Sequence, residues 1–127
     1  MEIKPVITPG RPYIERYGPG GFKISGAVFT GAVLILPDSA QAWPIASMAE
    51  LRPESLAPAA EHGGVEILLL GCGQRMALVP PLLRKALRDV GIVIDAMDTG
   101  AACRTYNVLV AEERRVAAAL LPLTATG

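Results

Sequence analysis

The fold is decided by residues 95–109, Asp-Ala-Met-Asp-Thr-Gly-Ala-Ala-Cys-Arg-Thr-Tyr-Asn-Val-Leu. They follow Gly91-Ile92-Val93-Ile94, an apolar run whose β-branched residues indicate a buried strand. Asp98 or Thr99 can accept hydrogen bonds from the first free backbone N–H groups of a following helix. A strand, a tight turn and a helix N-terminus pack a helix on a sheet, and the same geometry can bind an anion.

Further strands and helices alternate around this stretch. The most apolar short run ends at Leu70 and predicts a central strand, and Pro80-Pro81 open an amphipathic helix that Gly91 closes. Because strand, helix, strand, helix and strand follow one another, the sequence predicts crossover units on a largely parallel sheet. The direction of the last strand, within residues 116–121, stays open. The helix that Pro80-Pro81 open has a predicted core face of Leu82, Leu83, Ala86, Leu87 and Val90.

The N-terminal half has a different pattern. Three prolines within residues 1–12 predict an extended arm. Short apolar runs between residues 13 and 36, separated by glycines, predict an antiparallel meander. We expect the aromatic side chains of Phe22 and Trp43 to lie in the core between two β layers.

Composition limits the class of protein. The 127 residues suffice for a single domain, 1–127, and 51% of them are hydrophobic, which predicts a globular chain. Twelve basic and twelve acidic residues give no net charge, so neither nucleic acid nor an anionic membrane is expected as the main partner. The start lacks a signal or transit peptide, and no apolar run is long enough for a membrane span. These features predict a soluble, cytoplasmic protein that is not an integral membrane protein.

A candidate ligand site lies after the two central strands. If the strands that end at Leu70 and Asp95 are neighbours, the loops Gly71–Arg75 and Met97–Arg104 face one another. Their backbone amides, with Arg104, could then receive a carboxylate or phosphate. Alternatively, the glycines only permit tight turns, and a dinucleotide fingerprint is not matched because it requires glycine at Met76. The candidate ligand-binding residues are Gly71, Cys72, Gly73, Gln74, Asp98, Thr99, Cys103, Arg104 and Asn107.

The two cysteines give a third hypothesis. Cys72 and Cys103 lie on these two loops, and the helix dipole would favour a thiolate at Cys103 in a first helical turn. A nucleophile usually needs a base, however, and the single histidine, His62, lies at the end of another helix. We therefore favour two reduced, small hydrophobic residues. No catalytic residue, metal ligand or cofactor is assigned.

Several motifs resemble one known family. They are Tyr17-Gly-Pro-Gly-Gly-Phe22, Leu68-Leu-Leu-Gly-Cys-Gly73, Pro80-Pro-Leu-Leu-Arg84 and the block from Met97 to Leu109. They are similar to the bacterial and archaeal domain-of-unknown-function family that includes mitochondrial complex I assembly factor 3. The resemblance implies an α/β fold of three layers, with a mixed central sheet, helices on both sides and an extra β layer from the N-terminal half. It carries over no established catalytic residues.

The resemblance also sets the leading functional hypothesis. The mitochondrial members are assembly chaperones of a respiratory complex and work with a partner protein. The absence of a transit peptide fits a bacterial source. The resemblance implies a non-enzymatic interaction protein whose partners are membrane-complex subunits or assembly machinery, with a homodimer also possible. The alternative is a small-molecule or anion-binding domain, possibly an enzyme, that uses the two loops.

Overall fold

The structure is a computed structural model that describes residues 1–3 and 6–124. Eight strands in these ranges form two sheets, and two 3-10 turns and three α-helices connect or cover them. The strands are β1 Ile14–Gly18, β2 Gly21–Ile24, β3 Ala27–Thr30, β4 Val33–Leu36, β5 Ser39–Ala42, β6 Ile67–Gly71, β7 Val93–Met97 and β8 Val116–Leu120. The 3-10 turns are Met48–Glu50 and Pro53–Leu56, and the α-helices are α1 Ala57–His62, α2 Pro81–Asp89 and α3 Thr99–Ala111.

The larger sheet is mixed, as the resemblance implied. Its strand order is β5-β4-β8-β6-β7, in which β6 runs parallel to both β7 and β8. The last strand is therefore parallel to the other crossover strands, while β4 runs antiparallel to β8 and to β5. Because β6, β7 and β8 are parallel, their carboxyl ends lie at the same end of the sheet.

The smaller sheet is an antiparallel meander of β1, β2 and β3. The predicted meander ran on to Leu36, and this extension is wrong because β4 leaves the small sheet and joins the large one. All four side chains of β4 are buried, whereas β3 is mostly exposed. A strand that is buried on both faces needs a sheet that is covered on both sides. The five-stranded sheet has a hydrophobic core on each face and meets this need.

Alternate side chains of the central strands pack into two separate cores. Leu68 and Leu70 face a core that contains Trp43 and residues of α1 and α2, so the prediction that Trp43 lies between the two β layers is wrong. Leu69 faces the second core, which α3 and the small sheet complete and which contains Phe22. Helices on both sides and an extra β layer beside α3 thus confirm the expected fold class. In the described part of the chain, no helix combines the length and apolar character needed to cross a membrane.

Helix α2 buries a narrower face than its sequence predicted. Leu83 and Leu87 are buried, but Leu82 is 76% exposed and Val90 is 54% exposed. Leu82 precedes Leu83 by one residue, about 100° around the helix, so both cannot face the sheet. Val90 caps the helix with non-helical backbone angles, so helical spacing no longer directs its side chain. The predictions for these two residues are therefore wrong.

The predicted arm begins as a short addition to the small sheet. The N–H of Ile3 donates to the Glu15 carbonyl, and the N–H of Tyr17 donates to the Met1 carbonyl, both at 3.0 Å. Residues 1–3 therefore cover the outer edge of β1. Two further residues of the predicted arm, Lys4 and Pro5, lie outside the described residues.

Candidate functional site

The two candidate loops lie side by side. Strands β6 and β7 are parallel neighbours, with Gly71 opposite Met97. Beyond them the Cys72 N–H donates to the Met97 carbonyl, and the Thr99 N–H donates to the Gly73 carbonyl, each at 2.9 Å. The condition for a shared site, adjacent strands, is met. Ligand binding there stays a prediction.

Thr99 fastens both loops to the end of β8. Its buried hydroxyl donates to the Leu121 carbonyl at 2.6 Å and accepts the Gly73 N–H at 2.8 Å. A Cβ at Gly71 would stand 3.0 Å from Thr99 Oγ1 and 2.9 Å from Leu120 Cδ2, so only glycine fits without movement. Gly73 has a φ of +91°, which favours glycine. Both glycines thus have a structural role in closing the crevice.

Asp98 caps helix α3, as one of the two predicted cap residues. Its Oδ1 accepts the Ala101 N–H at 2.9 Å. The cap carboxylate already occupies one of the free N–H groups at the helix start, and its negative charge opposes the approach of an anion. An anion could therefore enter only beside Asp98, toward other donors.

Arg104 lies beside Asp98 and pairs with a residue that the candidate list omitted. Its Nη1 donates to the hydroxyl of Tyr17 at 2.7 Å. Tyr17 is only 3% exposed, whereas Arg104 is exposed, and no ion pair of Arg104 occurs among the described residues. Tyr17 opens the motif Tyr17-Gly-Pro-Gly-Gly-Phe22, but the sequence alone assigns no role to its hydroxyl.

The three polar groups converge on one small residue. An ideal Cβ built on Gly100 would lie 3.0 Å from Tyr17 Oη and 3.3 Å from both Arg104 Nη1 and Asp98 Oδ1. Gly100 is buried in the first turn of α3, so its missing side chain lets these groups approach. The cluster brings together one guanidinium, one phenol and one carboxylate beside the two loops.

The cysteines do not form a reactive pair. Both are free thiols, and Cys103 is fully buried. Burial raises the pKa of Cys103 to about 12, because desolvation outweighs the effect of nearby Arg104, and this opposes a thiolate at the helix start, the hypothesis that the sequence did not favour. Burial also raises the pKa of the half-buried Cys72 thiol. His62 cannot serve them, since its Nε2 pairs with Asp38 and its Nδ1 accepts the Gly64 N–H.

The remaining candidates have structural partners. The buried Asn107 amide accepts the Ile14 N–H at 3.0 Å and donates to the Ile14 carbonyl at 2.8 Å. Gln74 is exposed, and its Oε1 accepts the Thr124 N–H at 3.2 Å. Among the described residues, no three His, Cys, Asp or Glu side chains cluster as metal ligands would. The exposed Arg104 is the candidate whose charge faces solvent most directly.

Comparison with known proteins decides the family. The family described as "protein of unknown function (DUF498/DUF598)" matches residues 14–121, which run from β1 to the end of β8 and include both loops. The chain belongs to this family. A DUF498/DUF598 assignment agrees with the resemblance drawn from the Met97–Leu109 block and the shorter motifs.

The relatives include assembly factors. An uncharacterized protein of Rhodobacter capsulatus is 42% identical over 87% of this chain and 84% of its own length. The NADH dehydrogenase [ubiquinone] 1 alpha subcomplex assembly factor 3 of Xenopus tropicalis is 35% identical over 87% of this chain. That match spans 61% of the Xenopus protein. The DUF498/DUF598 chain thus corresponds to about three-fifths of that assembly factor.

A solved structure agrees with the fold. The solution structure of a Bordetella pertussis protein, described as a Mth938-like domain, superposes with a TM-score of 0.81 at 29% identity. The match covers 96% of this chain and 92% of the other. The two-sheet arrangement is therefore shared with a relative solved by experiment.

Proposed function

We propose that the chain is a non-enzymatic interaction protein that assists the assembly of a membrane-bound respiratory complex. The proposal draws on the relation to assembly factor 3, which extends across both loops and both sheets. Its partners would be subunits of that complex or other assembly proteins.

The observation that carries the proposal is the closed crevice. Gly73, Thr99 and Leu121 satisfy one another's hydrogen bonds, and the thiol of Cys103 is buried with a raised pKa. A covalent catalyst needs an accessible nucleophile beside a base, and the crevice offers neither to a substrate. A site devoted to closing two loops supports a scaffold better than a reaction centre.

Affinity capture from the source cells tests the proposal. We expect the tagged chain to retain subunits or assembly proteins of the respiratory complex, identified by mass spectrometry. Deleting the gene should lower the amount of assembled complex on native gels, and the wild-type gene should restore it. Normal complex levels in the deletion strain, together with empty captures, would reject the assembly role.

A second candidate function is the binding of a small anion at Arg104. The exposed guanidinium and the Tyr17 hydroxyl favour it, because they offer a charged and a neutral donor on the same side of Gly100. Asp98 opposes it by its charge, so binding would require a ligand that also offers a donor, such as a hydroxy acid.

Arg104→Ala separates the two functions. Under the scaffold proposal, this variant captures the same partners as the wild type, because Arg104 lies outside both cores. Under the ligand proposal, a thermal-shift screen of carboxylates and phosphates finds stabilising anions for the wild type but not for Arg104→Ala. The variant Arg88→Ala, which removes an exposed arginine on α2, controls for the loss of one positive charge.

A further inference from the structure

The four outer edges of the two sheets differ in their protection. Residues 1–3 cover the edge of β1, and Asp95 places a charge in the middle of edge strand β7. The edges of β3, Ala-Val-Phe-Thr, and of β5, Ser-Ala-Gln-Ala, contain no charge and no proline. Proteins usually protect exposed edges with such residues or by keeping the edge strand short; β3 and β5, of four residues each, have only their short length as protection.

The backbone of β3 presents unpaired groups toward solvent. Ser25 and Gly26 both have positive φ, as in a two-residue hairpin turn, so the flanking Ile24 and Ala27 form a hydrogen-bonded pair. The next hydrogen-bonded pair is Phe22 and Phe29, since such pairs alternate along an antiparallel ladder. The N–H and C=O groups of Val28 and Thr30 therefore point away from β2. In the described structure no strand pairs with them.

A cavity of about 470 Å³ lies between β3, β5 and residues 7–13, which supply half of its lining. Its lining includes Ala27 and Phe29 from β3, Ser39 and Ala40 from β5, and Arg11 from the arm. We call it the β3–β5 trough. Its walls are mostly small or apolar, and its acid, Asp38, is hydrogen bonded to His62.

Arg11, which contributes to the lining of the trough, has one unsatisfied donor. The guanidinium of Arg11 donates through Nη2 to the Arg114 carbonyl at 2.7 Å, but its Nε has no hydrogen-bond partner. Among the described residues, it is the one buried side-chain polar atom left in this state. A buried N–H without an acceptor is unfavourable, but this Nε has almost no accessible surface, so a group that enters the trough cannot reach it without movement of Arg11.

We propose that an extended, uncharged segment of a partner protein adds to β3 as a fourth strand. Its backbone pairs with Val28 and Thr30, as in other β-augmentation complexes. Its alternate side chains, small and apolar, enter the β3–β5 trough beside Phe29. The four side chains of β3 carry no charge, so they favour an uncharged segment, because a charge buried against them would lose its hydration without a partner on β3. The inference rests on the proposed interaction role and names the chemistry of the partner.

The test uses peptides rather than the native partner. Heptapeptides are selected from a random phage-displayed library on the immobilised full chain, and amide hydrogen exchange is measured with the selected peptide. We expect uncharged, β-branched sequences that slow exchange at the Val28 and Thr30 N–H groups. The Ala27 and Phe29 amides are already paired with β2 and serve as internal controls. A proline scan of the peptide should abolish binding at alternate positions, as strand pairing requires.

Two substitutions at one position isolate the backbone contribution. Val28→Pro removes an outward N–H while leaving the hydrogen bonds to β2, so peptide affinity should fall about tenfold or more. Val28→Ala keeps the N–H and should retain affinity within about threefold. If Val28→Pro does not fold, the hydrogen-exchange pattern of the wild type with bound peptide decides whether β3 is the binding edge.

Three results would overturn the inference. They are charged selected sequences, no protection at β3, and protection that rises with protein concentration without peptide, which would make a second copy the occupant. Because the probe is synthetic, failure here leaves the capture and deletion experiments unaffected. Success here with empty captures would reject the assembly role alone.

Discussion

Asn107 on α3 binds Ile14 of β1 as a neighbouring strand residue would. The side-chain amide accepts a hydrogen bond from the Ile14 N–H at 3.0 Å and donates one to the Ile14 carbonyl at 2.8 Å. The two residues are 93 positions apart in the sequence. Register is irregular on the other side of β1, between Ile14 and Arg16. The amide therefore satisfies the backbone where the small sheet meets the helix, and it couples the two parts of the second core.

Replacing Asn107 should destabilise the protein strongly. Asn107→Leu leaves a buried N–H and a buried carbonyl of Ile14 without partners, at a cost of about 2–4 kcal/mol in the free energy of unfolding. Urea denaturation followed by circular dichroism measures this. Val108→Ala, at an exposed position of the same helix, should change stability by about 0.5 kcal/mol or less. Equal effects of both substitutions would contradict the proposed coupling.

The hydroxyl of Thr99 should contribute to the stability of the folded chain. Thr99→Val keeps the shape but leaves the Gly73 N–H and the Leu121 carbonyl unpaired, so we expect a loss of about 1–3 kcal/mol. Thr99→Ser retains both hydrogen bonds and should lose less, since only a methyl group is removed. If Thr99→Ser costs as much as Thr99→Val, packing rather than hydrogen bonding holds the loops together.

Local sequence patterns predicted the helices and strands whose formation depends on residues close in sequence. The apolar runs at β6 and β7, the cap at Asp98 and the amphipathic start of α2 all depend on neighbours in sequence. The sheet exchange of β4 could not be predicted this way, because Val33–Leu36 has the same local pattern in either sheet. Its place depends on Ala118, Ala119 and Leu120, to which it pairs.

The candidate site was likewise predictable only in part. Adjacency of the loops followed from a crossover topology, which the sequence indicated. The partners of Arg104 and Asn107 are Tyr17 and Ile14, 87 and 93 positions away, and no spacing rule connects them. The high pKa of Cys103 could not be predicted from the sequence, because the helix start that favours a thiolate is visible there, while the burial that opposes it is not.

Gly100 should be intolerant of alanine only while Tyr17 keeps its hydroxyl. Gly100 lies in the first turn of α3, where alanine should gain less over glycine than the value of about 1 kcal/mol that is typical of a helix interior. Here the added Cβ would meet Tyr17 Oη at 3.0 Å, and the buried ring has little room to move. We expect Gly100→Ala to destabilise the wild type but to be neutral or stabilising in a Tyr17→Phe background. A double-mutant cycle by urea denaturation measures the coupling, and strictly additive effects would disprove the steric conflict.

Cys103 should make the folded state sensitive to alkaline pH. Its pKa rises from 9.0 to about 12 on folding because the thiol is buried. Above pH 9 the unfolded chain loses this proton while the folded chain keeps it. The contribution of Cys103 is therefore fully present below about pH 9 and is lost as the pH rises toward about 12, by at most about 1.4 kcal/mol per pH unit.

Cys103→Ala isolates this contribution. The variant is less stable at neutral pH because it leaves a small cavity, but it lacks the titrating thiol. The difference in unfolding free energy between wild type and variant should stay constant from pH 7 to about 9 and then shrink. Urea denaturation at a series of pH values measures both chains. Tyr106, whose pKa burial also raises, is present in both and cancels from the difference. A difference that remains constant to pH 11 would mean that Cys103 ionises in the folded state as readily as in the unfolded one, against its burial on the inner face of α3.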